Sequence, residues 1–152
     1  EYTHEEIYTV EESLKLETNF PGANTKNLFL KNKKNEFLLM SCLHSTSINM
    51  KEFSKKNNFG NLSFANNEKL MDLLYVKSGS VSPFALLNDV NNSINFYLDI
   101  LITKSKLVNF HPLINSSTIA MNTLDFIDLM VANNKIVNIY DFMKNICVKK
   151  IQ

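Results

Sequence analysis

Arginine is absent from this chain, glycine occurs three times and cysteine twice. Each shortage excludes a class of chemistry. With glycine confined to Gly22, Gly60 and Gly79, neither a G-x-G-x-x-G dinucleotide turn nor a Walker phosphate loop can be written, since both need clustered glycines to bring main-chain N–H groups onto a phosphate. Cys42 and Cys147 are too few for a disulfide framework or a Cys-rich metal site, and they read as small buried apolar residues in a reducing, cytoplasmic setting. No C-x-x-C, H-E-x-x-H or G-x-S-x-G motif is present, so no metal, no cofactor and no nucleophile-elbow hydrolase is expected. The longest apolar runs, such as Phe37 to Met40, are far shorter than a membrane span, and no membrane partner is expected.

Charge of one sign is also lacking. Sixteen lysines against fifteen acidic residues leave a net charge of +1, which gives no general case for nucleic-acid binding, none for DNA, and makes any such contact local. Every cation outside histidine is a lysine, a point charge without the bidentate fork of arginine. Asparagine is abundant, as in Asn57–Asn58 and Asn91–Asn92, a bias that fits AT-rich coding. What is present is a globular balance: 152 residues, 45% apolar, with 11 Phe and 5 Tyr. That suits a single domain over 1–152 built on one core, with no internal repeat.

The pattern along the chain predicts its elements. Thr9 and Glu12 form a capping box before a helix over Val10–Leu16. Leu28–Leu30 and Phe37–Met40 are short apolar runs separated by the turn-prone Asn32–Asn35, and they read as a hairpin. Asn49 caps a helix from Met50 to about Asn57, closed by Gly60. Asn66 caps another that carries Leu70, Leu73 and Leu74 on one face, and both helices are expected against a sheet. Lys77–Pro83 is a loop by composition. Ile94–Ile100, Lys106–Phe110 and Thr118–Met121 have strand character. Asn122 caps a helix with Leu124, Ile127 and Val131 on one face and Phe126 and Met130 beside it. A last short strand falls near Ile136–Ile139, and Lys144–Gln152 reads as a departing end or linker. This order is not the alternation of a doubly wound sheet, so the expected class is α+β, with a curved, mixed, mainly antiparallel sheet and flanking helices.

Polar residues stand at the edges of these strands. Taken singly, Lys26 reads as a solvated charge, Asn27 as a turn former and His111 as a loop histidine. Taken together, the segments Thr25-Lys26-Asn27-Leu28-Phe29-Leu30-Lys31, Gly79-Ser80-Val81-Ser82-Pro83-Phe84 with Asn88-Asp89, Leu98-Asp99, and Phe110-His111-Pro112-Leu113 through Asn115 and Thr118 carry a resemblance. Their order and spacing are similar to those of the YbaK/ProX aminoacyl-tRNA deacylases, closest to the alanyl-specific prolyl-tRNA editing branch. The resemblance covers about Ile7 to Tyr140. Asn35 stands where a turn glycine is common, Ser82 where Thr is usual, and the helix that normally precedes His4 is missing, which suggests a domain cut from a longer chain.

The resemblance implies a fold of a mixed sheet with flanking helices and an enzyme that hydrolyses alanine from the 3′ end of tRNA(Pro). It implies that Lys26 is the residue most needed. Asn27 and Gly79 are expected beside it at the reacting ester, with Ser80, Val81, Ser82, Pro83, His111, Asn115 and Thr118 lining the substrate pocket. Chemically, Lys26 can hold a phosphate or sugar oxygen of the terminal adenosine and Asn27 can donate to the ester carbonyl. A snug pocket walled by His111 can exclude the proline ring by overlap. The expected partners are the tRNA(Pro) acceptor end and prolyl-tRNA synthetase, fused or associated, because weak net charge calls for tethering. A cysteinyl-tRNA(Pro) deacylase and a non-catalytic module binding tRNA or a synthetase are the alternatives.

Overall fold

The computed structural model describes residues 1–6 and 20–152, and the helix expected over Val10–Leu16 lies outside them. The strands are β1 (Tyr2–Thr3), β2 (Ala23–Lys31), β3 (Phe37–Leu43), β4 (Ser63–Phe64), β5 (Ile94–Asp99), β6 (Leu107–Phe110), β7 (Ser117–Asn122), β8 (Val137–Asp141) and β9 (Ile146–Ile151). They form one sheet in the order β1-β7-β6-β2-β3-β5-β8-β9, with β4 alongside β2. The pairs β2/β6, β3/β5 and β5/β8 are parallel and the rest antiparallel. The class is therefore α+β with a mixed sheet, as expected. The hairpin is present, running from Thr25↔Leu43 to Lys31↔Phe37.

Helices α1 (Met50–Lys56), α2 (Asn67–Leu74) and α3 (Thr123–Ala132) begin where sequence places them, each capped by an asparagine side chain: Asn49, Asn66 and Asn122. These Oδ1 atoms accept N–H groups that the first turn cannot pair internally. A 3₁₀ helix over Pro83–Asn88 follows the Gly79 loop, started by the Ser82 side chain.

The sheet divides the expected single core into two clusters. Successive side chains of a strand point to opposite faces, so Phe29, Leu39, Phe96, Leu98, Val108 and Phe110 meet α2 and α3 on one face. Leu30, Leu38, Met40, Tyr97 and Tyr140 surround Phe53 of α1 on the other. Covering both faces explains why β3 is a continuous apolar run instead of an alternating one.

Four expectations are corrected. Lys144–Gln152 does not depart: β9 pairs with β8 from Val137↔Ile151 to Asp141↔Ile146. The connecting turn is made by Asp141 Oδ1, which accepts from Met143 N at 3.1 Å and Lys144 N at 2.9 Å, and by Asn145 at φ 51°. Cys147 is exposed on that strand and only Cys42 is buried. The buried face of α3 is Thr123, Phe126, Ile127 and Met130, while Leu124 faces solvent. Helix α1 is closed by Asn58 at φ 59°, before Gly60 is reached. No helix among the described residues is long and apolar enough to cross a membrane.

Gly22 sets the entry of β2. It holds φ +107°, and a Cβ there would stand 3.0 Å from both the Asn109 Oδ1 and the Leu107 Cβ. Close approach of β2 to β6 thus requires a residue without a side chain. Gly22→Ala is expected to lower the unfolding free energy by about 1–3 kcal/mol, measured by urea denaturation. An unchanged midpoint would show that the two strands do not meet as described.

Candidate functional site

Strands β2 and β6 run parallel but share only two register pairs, Ala23↔Val108 and Asn24↔Asn109. The Thr25 hydroxyl closes the junction by donating to the Asn109 carbonyl at 2.7 Å, and Asn109 Nδ2 donates to Asn24 Oδ1 at 2.7 Å. Beyond that point the strands separate. The same edge of β2 meets another strand only at β4, opposite Leu30 and Lys31. Among the described residues Lys26 to Leu28 therefore have no strand partner on that edge. Lys26 and Asn27 lie along one arm of a fork, and the other arm continues from Phe110 into His111. Crevices where neighbouring parallel strands diverge are a recurrent place for ligands in sheets.

Lys26 and Asn27 use opposite faces of β2. Lys26 pairs with Cys42 on the face of α1, and its ammonium, half-buried, donates to the carbonyls of His44 at 3.0 Å and Thr46 at 2.6 Å. Among the described residues no carboxylate lies within ion-pair distance of it. The carbonyls orient the cation and leave its charge uncancelled. The Thr46 hydroxyl in turn donates to Asp99 Oδ2 at 2.5 Å, and Asp99 Oδ1 accepts from Leu101 N at 3.0 Å. Burial pushes the Cys42 thiol up to about 12, against the pull of Lys26, so the sulfur beside this lysine is not a nucleophile.

Asn27 faces the other cluster. Its Oδ1 accepts from the Ser41 hydroxyl at 2.6 Å, which fixes the amide and turns Nδ2 outward. That nitrogen has no partner among the described residues, so it can donate to a carbonyl.

His111 is fixed by its partner. Nδ1 stands 2.8 Å from the Ser117 carbonyl, which can only accept, so Nδ1 carries the proton and Nε2 keeps its lone pair in the neutral ring. Burial holds the imidazole below its ordinary pKa of 6.5, opposed by the Ser117 bond and reinforced by His4. The two histidine rings lie 6.1 Å apart. His4 Nδ1 donates to the Glu5 carbonyl and Nε2 accepts from the Thr118 hydroxyl at 3.0 Å. Thr118 is thus tied to His4, and Asn115 is buried in the turn between.

The Gly79 segment reaches the fork through Phe84, whose ring lies 5.8 Å from that of Phe110. Ser80 and Ser82 are buried, Pro83 opens the 3₁₀ helix and Val81 packs against the first cluster. Gly79 itself is exposed, at φ +87°, in the turn closed by Ser80 N donating to the Lys77 carbonyl at 3.1 Å. His111 and Thr118 are thus brought together through Ser117 and His4, Lys26 and Asn27 stand on β2 past its junction with β6, and Ser80–Pro83 lead into Phe84, which packs on Phe110, while Gly79 lies exposed.

Sequence reasoning missed His4, His44 and Thr46 as members of this network, and it named Asp99 within the Leu98-Asp99 segment without giving it a role. Asp99 carried a usable signal, a carboxylate within the apolar Phe96–Ile102 run, where an ionised group needs partners. His44 and Thr46 act through their carbonyls, which any residue has.

With this geometry in place, comparisons with known proteins become informative. Residues 4–129 match the model of the aminoacyl-tRNA editing domain. The chain is 36% identical over 132 residues to prolyl-tRNA synthetase associated domain-containing protein 1 of Xenopus laevis, covering 84% of this chain and 78% of that protein. It is 30% identical over 131 residues to the prolyl-tRNA editing protein ProX of Acetoanaerobium sticklandii, covering 86% and 80%. In fold it is similar to the crystal structure of a proposed trans-editing enzyme for prolyl-tRNA synthetase, at TM-score 0.63 and 17% identity, covering 86% of this chain and 78% of that one.

The depressed pKa of His111 has a consequence for stability. Below 6.5 the unfolded chain takes up this proton before the folded one does, so stability falls as pH drops through that value toward the folded pKa. The slope attributable to one such group is at most about 1.4 kcal/mol per pH unit. Urea unfolding between pH 7 and 5 is expected to show a shallower decline in His111→Asn, whose amide can still donate to Ser117. Equal slopes in the two proteins would remove burial of His111 as the cause.

Proposed function

Because the chain belongs to the aminoacyl-tRNA editing domain family, we propose that it hydrolyses the ester of mischarged alanyl-tRNA(Pro). The observation that supports this reading is the divergence of β2 from β6 after Asn24↔Asn109, with Lys26 and Asn27 beyond that pair on one strand and His111 following the end of the other. An ester is already activated, so catalysis needs an oriented water, stabilisation of the developing oxyanion and a held substrate, not a triad.

Each need has a candidate. Lys26, with its charge uncancelled, holds a phosphate or sugar oxygen of the terminal adenosine. Asn27 Nδ2 donates to the ester carbonyl and, more strongly, to the oxyanion that forms from it. The ribose 2′-hydroxyl beside the ester helps to orient the water. His111, neutral with its Nε2 lone pair available, forms a wall of the acyl pocket, and a methyl side chain fits where the proline ring overlaps that wall. Ser80–Pro83 support that wall through Phe84 and Phe110, and Thr118 supports it through His4. The names of the relatives support prolyl-tRNA synthetase as the partner. A net charge of +1 supports tethering as the source of tRNA affinity.

Deacylation of alanyl-, cysteinyl- and prolyl-tRNA(Pro) by the purified protein tests the reading, with alanyl ester expected to be cleaved fastest. Lys26→Ala is expected to lower the rate by about 100-fold or more. Lys26→Gln, which can still donate to the His44 and Thr46 carbonyls but carries no charge, is expected to fold normally and to lose activity to a similar degree. Full activity in Lys26→Gln would overturn the charge-based mechanism. Preference for the cysteinyl ester would reassign the substrate, and tRNA binding without turnover would leave a binding module.

A further inference from the structure

Seven non-glycine residues among those described have positive φ, and five are asparagines: Asn35, Asn58, Asn92, Asn134 and Asn145. Asparagine tolerates this region because its short side chain bonds locally. The remaining two are Tyr75 at φ 55° and Leu113 at φ 69°, bulky residues for which the conformation is strained. Neither is compensated by burial, since Tyr75 is 68% exposed and Leu113 37% exposed.

Both stand next to the segments that carry Gly79 and His111. Tyr75 is the left-handed residue ending α2, four positions before Gly79, and Leu113 follows His111-Pro112. The two segments meet through the Phe84 and Phe110 rings. Their charge is also one-sided: Leu73–Asn88 contains Lys77 and no carboxylate, and Ile100–Leu124 contains Lys104 and Lys106 and no carboxylate. An exposed aromatic ring with Lys77 two residues on, and an exposed leucine two residues after His111, are elements that bind single-stranded nucleic acid, with the ring stacking on a base and the cation attracting the phosphates.

We propose that Tyr75 and Leu113 are nucleobase-binding residues, held in strained conformations so that they stack on unpaired bases of the acceptor end as its ester enters the crevice. This deepens the editing reading and rests on it. The side chains find in the substrate the contacts they lack in the free protein, which is why a chain that elsewhere places asparagine at such positions keeps tyrosine and leucine at these two.

The test uses the full chain and the variants Tyr75→Asn and Leu113→Asn, which accept the same backbone conformation. Relief of strain is expected to raise the melting temperature of each by about 2–4 °C. KM for alanyl-tRNA(Pro) is expected to rise about tenfold with kcat little changed, whereas Tyr75→Phe, which keeps the ring, should stay within about twofold of the parent. In an NMR titration with the single-stranded trinucleotide CCA, the Tyr75 and Leu113 amides are expected to shift saturably. More stable variants with an unchanged KM would overturn the proposal. If no aminoacyl-tRNA is hydrolysed, the editing reading fails, and the titration still decides: saturable shifts at both residues sustain base binding, and their absence ends it.

Discussion

The close approach of two parallel strands at one short junction governs the region where the family motifs converge. Gly22 lets β2 come against Leu107 and Asn109, two register pairs hold the strands together, and the twist and connections of each then carry them apart. Had the ladder continued, the main-chain groups of Lys26 to Leu28 would be paired to β6 and their surroundings filled by its side chains. Because it stops, no strand among the described residues covers the edge of β2 between β6 and β4. Lys26 and Asn27 are adjacent in sequence, so on the strand they point to opposite faces, and on the proposed reading a single ligand reaches both along that edge.

The means of holding the cation follows from the absence of arginine. A guanidinium in such a place would take carboxylates bidentately and be neutralised by them. The Lys26 ammonium is instead steadied by two neutral carbonyls, and the carboxylate of Asp99 acts one step away, through the Thr46 hydroxyl. Direct pairing would fix the lysine more firmly and spend the charge within the protein. The indirect arrangement keeps its position and its attraction for an external anion together. It also explains why Asp99 is buried with no cationic partner in contact among the described residues: three donors, from Thr46, Leu101 and Leu43, satisfy its oxygens, as a buried carboxylate requires.

Much of this fold was legible because its signals are local. Asparagine caps, the β2/β3 hairpin and the strands of the middle region depend on neighbours in sequence, and they appear where the pattern puts them. The misses depend on distant partners. β9 shows Ile146, Cys147 and Val148 to solvent, so it has no buried face to announce it, and it exists because β8 offers an edge. The parallel pairings follow from crossovers that no hydrophobic period encodes, and the face of α3 was misassigned because Leu124 fits the helical stripe while lying at the helix start, outside the contact. The site divides in the same way. Its words could be read from the order of the segments, whereas the fork that brings them together could not, nor could the carbonyls of His44 and Thr46, which leave no trace in residue identity.

The scarcity of glycine finally separates two roles that glycine usually combines. Sharp turns survive without it, since Asn35 takes the left-handed position of the β2/β3 turn where glycine is common and Asn58, Asn134 and Asn145 do the same elsewhere. Main-chain anion cradles of the clustered-glycine kind cannot be written, because the three glycines stand far apart in sequence. On the proposed reading, the phosphate and sugar oxygens of the substrate therefore fall to side chains such as Lys26. With the overall charge near zero, such recognition has to be concentrated where a lysine stands clear of carboxylates, as Lys26 does on the β2 arm of the fork.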